Sequence, residues 1–97
     1  MHYNVIISID AQEDIFQAID YYFNIHPDLA RKFEEELDSF LDILERSPYF
    51  DVRYDHYRAV PFDIFPYLLL FRIDEELNEV EIKAVFHTSQ DTNKYPV

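Results

Sequence analysis

Three side chains in the second half of the chain have the chemistry to act on a phosphodiester. They are Arg58 in the stretch RYDHYRAV, His87 at the end of AVFH, and Tyr95 in the polar tail TSQDTNKYPV. Cleavage of RNA without a metal needs a base for the 2′-hydroxyl proton, a cation for the crowded phosphorane and an acid for the leaving oxygen. Histidine titrates near neutrality, so His87 could be the acid or the base. The forked donors of Arg58 suit a phosphate, and Tyr95 could stack on a base or orient one. Arg53 and Lys94 are lesser additions. Each residue also has a structural reading. Arg58 could pair with Asp55, Asp63 or another carboxylate, and His87 could cap its strand or bond a backbone carbonyl. Tyr95 could pack over the sheet, which is its stronger reading. His2, His26 and His56 show no metal-ligand spacing and read as surface or packing residues, and no metal or other cofactor is expected.

Positioning these residues falls to elements with two different periods. YNVIISI, residues 3–9, is rich in β-branched residues and reads as a strand. Asp10 with Glu13 three residues on looks like a capping box, and Ala11, Ile15, Ala18, Ile19 and Tyr22 recur at helical spacing. This predicts a helix over 11–24, ended by IHPD. A second helix over 28–46 carries Leu29, Phe33, Leu37, Phe40, Leu41 and Leu44 on one face and is stopped by Ser47-Pro48. Its other face holds Glu34, Glu35, Asp38 and Asp42 among further charges. Strands follow at 53–60, 67–73 and 79–87. In the last of these, strict alternation places Val80, Ile82, Ala84 and Phe86 on one face and His87 on the other. The order β-α-α-β-β-β predicts a two-layer α+β domain, with an N-terminal helical hairpin packed on a mostly antiparallel four-stranded sheet. His87, and Arg58 with it, would then lie on the sheet face that the helices leave open.

Composition narrows the functions available. At 97 residues the chain forms one domain spanning 1–97. A hydrophobic content of 48% argues for a packed core rather than disorder. With no cysteine there is no disulfide, thiol nucleophile or Cys-based metal site. With no glycine there is no P-loop and no dinucleotide fingerprint. Neither a signal peptide nor a membrane-spanning segment is legible, which predicts a cytoplasmic protein with no membrane partner. The net charge is −12, and residues 1–52 hold 12 of the 20 acids but 3 of the 8 bases. A field of that sign repels phosphate and argues against nonspecific nucleic-acid binding.

The order of elements, together with SIDAQEDIFQAIDYY, LARKFEEELDSFLDILERSP, YRAVPFDIFPYLLLFRID and VEIKAVFHTSQD, resembles the RelE/ParE family of bacterial toxins from type II toxin–antitoxin modules, which includes plasmid stabilisation proteins. These pieces cover nearly the whole chain. FPY before an apolar strand, and a strand ending in Val-x-His, are closer to the ParE-like branch. The resemblance implies the fold derived above and a toxin silenced by a cognate antitoxin. It also implies one of two targets: the ribosome, where mRNA would be cut, or DNA gyrase. The family's terminal motif often reads His-x-x-Arg-Asp, whereas this chain has Gln90 before Asp91. The lysine-rich patch of ribosome-dependent nucleases has no counterpart in DVRYDHY, residues 51–57. The leading expectation is therefore a ParE-like toxin acting on a protein target. An mRNA interferase using Arg58, His87 and Tyr95, and a toxin-fold binding module without activity, stand as alternatives. In this family the antitoxin's C-terminal segment typically wraps the toxin along the helix hairpin. A segment rich in Lys and Arg is expected here, meeting Glu34, Glu35, Asp38 and Asp42.

Overall fold

The computed structural model describes residues 2–50, 52–54 and 56–88, with backbone alone for 52–54. The order is β1 (Asn4–Ile7), α1 (Ile9–Ile25), α2 (Pro27–Arg46), β2 (Val52–Tyr54), β3 (Tyr57–Pro61), β4 (Tyr67–Asp74) and β5 (Glu79–His87). The helix hairpin lies on one face of a mixed sheet, giving the expected α+β architecture.

The first helix starts two residues earlier than the sequence suggests. Ser8 is its N-cap and accepts the N–H of Ala11 at 3.1 Å. Asp10 is thereby left in the first turn, where a carboxylate favours the positive end of the helix dipole. Ser8 also shortens the preceding strand, because its hydroxyl donates to the carbonyl of Lys83 and turns the chain off the sheet. The second helix begins with Pro27, whose missing N–H costs nothing in a first turn. Nδ1 of His26 accepts the N–H of Asp28 at 3.1 Å, so this histidine serves as a cap.

The sheet runs β1-β5-β4-β3-β2. Strands β3, β4 and β5 form the antiparallel meander, and β1 adds to β5 in parallel. These are the four strands expected, with one correction. The stretch 53–60 is not a single strand but two, β2 and β3, reversed between Tyr54 and Tyr57. The sequence between them, Asp-His, suits a tight reversal, but no glycine marks it and the alternation of RYDHYRAV conceals it.

A second correction concerns β5. Leu70 pairs with Ala84, while Phe71 pairs with Ile82, so Lys83 is an extra residue opposite the β4 ladder. The bulge reverses the facing of everything after it. Val80 and Ile82 join the core under the helices, as does Val85, whereas Ala84 and Phe86 join Ala59 and Leu70 in a smaller cluster on the opposite face.

Aromatic rings dominate the main core. Phe33 of α2 is fully buried and stacks on Phe62 at 5.2 Å between centroids. It also meets Phe65 and Tyr67, each at 5.4 Å. Tyr22 of α1 closes the group against Phe65 at 4.7 Å. Edge and stacked ring pairs of this kind add to the area they bury. The loop carrying Phe62 and Phe65 is pinned from outside by Glu36, whose carboxylate accepts the N–H groups of Asp63 and Ile64.

Candidate functional site

The bulge at Lys83 places His87 beside α1 and not on the sheet face opposite the helices. His87 pairs with Tyr67 across β4–β5, and their rings meet edge to face at 5.1 Å. Together with Asp14, Gln17, Tyr21 and Val85 they line an open cleft of about 370 Å³ between α1 and the ends of β4 and β5. Asp14 is half-buried and accepts the backbone N–H of Val85 at 3.0 Å. That N–H lies beyond the last β1–β5 pair, so the side chain of Asp14 takes the place of a missing strand. Burial raises the pKa of the Asp14 carboxyl. The Val85 hydrogen bond opposes that shift, and the nearby charges of Asp10 and Glu13 reinforce it. Burial, aided by the tyrosines beside it, pushes the Tyr67 phenol up to about 12. Asp14, Gln17 and Tyr21 recur at helical spacing, so their common face was readable in the sequence. Their meeting with His87 depends on the bulge and was not.

Arg58 also points toward the helix side, opposite Phe71, but at the other end of the sheet. Its Nη1 donates to the carbonyl of Phe50 at 2.7 Å, and its guanidinium sits 5.5 Å from the ring centre of Tyr49. The hydroxyl of Tyr49 is bonded to that of Tyr3 and donates to Glu75 at 3.0 Å. These bonds favour the neutral phenol and raise the pKa of Tyr49. Nothing in the sequence links Tyr49 to Glu75, which meet only through the fold.

Arg58 and His87 are thus not brought together. Their partners on β4, Phe71 and Tyr67, are four residues apart, and β3 and β5 flank β4 on opposite sides. With usual strand dimensions the two Cα atoms stand roughly 16 Å apart. Tyr95, Gln90, Asp91 and Lys94 lie outside the described residues, as do Asp55 and the side chain of Arg53. Among the described residues, no group of three or more His, Asp or Glu is arranged to hold a metal ion.

The acidic residues of α2 form the expected exposed stripe. Glu34 and Asp38 border an apolar groove of about 420 Å³ between the helices, with Ile15, Phe16, Leu37 and Leu41 in its walls. Glu35 lies further round, with its carboxylate 3.8 Å from Arg31. Phe16 is 68% exposed at the groove's edge, which is unusual for so large an apolar side chain. Among the described residues, no helix is long and apolar enough to cross a membrane.

The fold is shared with chains of two toxin–antitoxin systems. The fold superposes on a chain of the chromosomal ParDE toxin–antitoxin system of P. aeruginosa with a TM-score of 0.77, at 15% identity, covering 91% of this chain and 98% of the other. It also superposes on a chain of the toxin–antitoxin complex RelBE2 from Mycobacterium tuberculosis, with a TM-score of 0.63 and 22% identity over 93% of this chain and 95% of that one. No curated protein matches by sequence. Residues 5–92 match the family described as the ParE toxin of the type II toxin–antitoxin system parDE, and the chain belongs to that family.

Proposed function

We propose that this ParE-family chain is a cytoplasmic toxin that acts on a protein target, DNA gyrase in the first place, and is neutralised by a cognate antitoxin. The observation that carries the choice of a protein target is the separation of Arg58 from His87. A single scissile phosphate needs its cation and its proton donor on the same few atoms. Here the guanidinium is engaged by Phe50 and Tyr49 at one end of the sheet, and the Cα atoms of Arg58 and His87 stand roughly 16 Å apart. The net charge of −12 adds to the argument, since a protein target needs no basic surface.

The antitoxin reading is supported by the groove between α1 and α2. Its apolar walls fit the anchors of an amphipathic segment, and Glu34 and Asp38 on its border favour basic residues flanking those anchors. Glu35 and Asp42 extend the same stripe.

The test is expression in a bacterial host with two readouts, supercoiling by purified gyrase and mapping of mRNA ends on ribosomes. Growth arrest with inhibited supercoiling and intact mRNA, retained in Arg58→Ala and His87→Ala, is the expected result. Ribosome-dependent cuts that vanish in His87→Ala would replace this reading with the interferase. Absence of toxicity would leave only a binding module. For the antitoxin, association should slow with added salt, and the salt effect should shrink when Glu34, Glu35, Asp38 and Asp42 are changed to Gln or Asn. Exposed charges are screened over about 10 Å at 0.1 M salt.

A further inference from the structure

We propose that the cleft lined by Asp14, Gln17, Tyr21, Tyr67 and His87 is a receptor for a guanidinium group, presented as the arginine side chain of a partner peptide. The site is separate from the α1–α2 groove, and the proposal does not rest on the antitoxin reading.

The anchoring group is Asp14. Its Oδ2 is fixed by the N–H of Val85 at 3.0 Å, so the carboxylate is already held in place and loses little freedom when a ligand arrives. Oδ1 keeps lone pairs that can accept a further donor. Helix α1 supplies Asp10, Glu13, Asp14 and Asp20 and not one Lys or Arg, so the field at the cleft is negative. Burial and the charges of Asp10 and Glu13 work against the ionised form of Asp14, which is the condition of a carboxylate short of a cation.

The walls give the shape. Tyr21 lines the cleft, is 61% exposed and stands edge-on to Tyr22. Tyr67 and His87 close the opposite wall at right angles to each other. Aromatic faces beside a carboxylate favour a flat, delocalised cation, which arginine provides and lysine does not. Gln17 turns its Nε2 toward Glu13 at 3.3 Å, which leaves its carbonyl oxygen as a second acceptor. A phosphate or carboxylate ligand would be repelled by Asp10, Glu13 and Asp14 of α1. An apolar ligand would bury Asp14 without a donor for its remaining oxygen, at a substantial cost. A volume of about 370 Å³ accommodates one guanidinium and its stem.

The experiment is an amide-resolved NMR titration of the full chain with N-acetyl-arginine N-methylamide. Saturable shifts at Asp14, Gln17, Tyr21 and Val85 are expected. The citrulline analogue, isosteric but neutral, should bind at least about tenfold more weakly, as should the arginine probe to Asp14→Asn, since a hydrogen bond to a charged group is worth at least that factor. Asn keeps an oxygen for Val85. If that variant fails to fold, the arginine–citrulline comparison on the wild-type chain decides alone. Tyr21→Leu should lower affinity several-fold. Equal binding of citrulline, undiminished binding to a folded Asp14→Asn, or no saturable shift at these residues would each overturn the proposal. Tighter binding of spermidine than of the arginine probe would assign the pocket to free polyamines and overturn the peptide source.

Discussion

Tyr67 and His87 stand opposite each other at the far end of the β4–β5 pair, with perpendicular rings 5.1 Å apart. Because Lys83 adds a residue to β5, this pair faces α1, and the imidazole becomes part of a cleft whose other wall is helical. Without the bulge His87 would share the opposite face with Ala59 and Leu70. The chemical company of His87 is thus decided four residues before it in the chain.

The raised pKa of Asp14 has a consequence for stability with a definite sign. Between its unfolded and folded values the folded chain holds the extra proton, so stability falls as pH rises through that window and stays lower above it. Asp14→Asn carries no charge and keeps an acceptor for Val85. Its urea midpoint should exceed that of the wild type at neutral pH and converge with it below the ordinary carboxylate range. A wild-type advantage at neutral pH would show that the Val85 hydrogen bond outweighs burial.

Phe33→Ala should cost about 3–5 kcal/mol, the usual range for a large aromatic removed from a packed core. Phe33 is fully buried, and its ring contacts Tyr22, Phe62, Phe65 and Tyr67. Domains of this size are stable by about 5–15 kcal/mol, so the variant should be close to unfolding. Urea denaturation followed by circular dichroism measures it, and a loss below about 1 kcal/mol would contradict the central role assigned to these rings.

Arg58→Ala should destabilise the fold by about 1–2 kcal/mol, through the Phe50 carbonyl left without its donor and the cation lost from Tyr49. Arg58→Lys should fall between it and the wild type. The same denaturation measurement separates this structural effect from any change in toxicity, since a folded but harmless Arg58→Ala would point to a role beyond packing.

The helices were legible because their apolar residues repeat cleanly. Phe33, Leu37, Phe40 and Leu44 are the buried face of α2 at the positions their spacing predicts. Ser8 is masked as a cap in the sequence by the competing pattern of Asp10 and Glu13, and the hydroxyl wins by bonding both Ala11 and Lys83. The sheet was legible in order but not in facing. Alternation is a local signal, and the bulge at Lys83 is set by the pairing of Ile82 with Phe71 and of Ala84 with Leu70 on the neighbouring strand. A glycine would have flagged either the bulge or the β2–β3 reversal, and the chain has none. The site followed the sheet: that Arg58 and His87 lie on strands is legible in their alternation, while the meeting of His87 with Asp14 and Tyr67, and of Arg58 with Tyr49, depends on the fold.

The parallel pairing of β1 with β5 also bears on how the molecule is made. Asn4 lies against Glu79 and Ile7 against Ile82, so the first strand has no place in the sheet until residue 82 is free to meet it. At ordinary rates of translation, roughly 5–20 residues per second, β1 waits several seconds as a bare apolar segment behind a helix hairpin that can already form. During that interval the ribosome carries a nascent chain whose cleft has no second wall, since Tyr67 and His87 arrive with the same late strands. Whatever this cleft binds, it can bind only after synthesis has passed His87, and a helper acting before that point must recognise some other part of the chain.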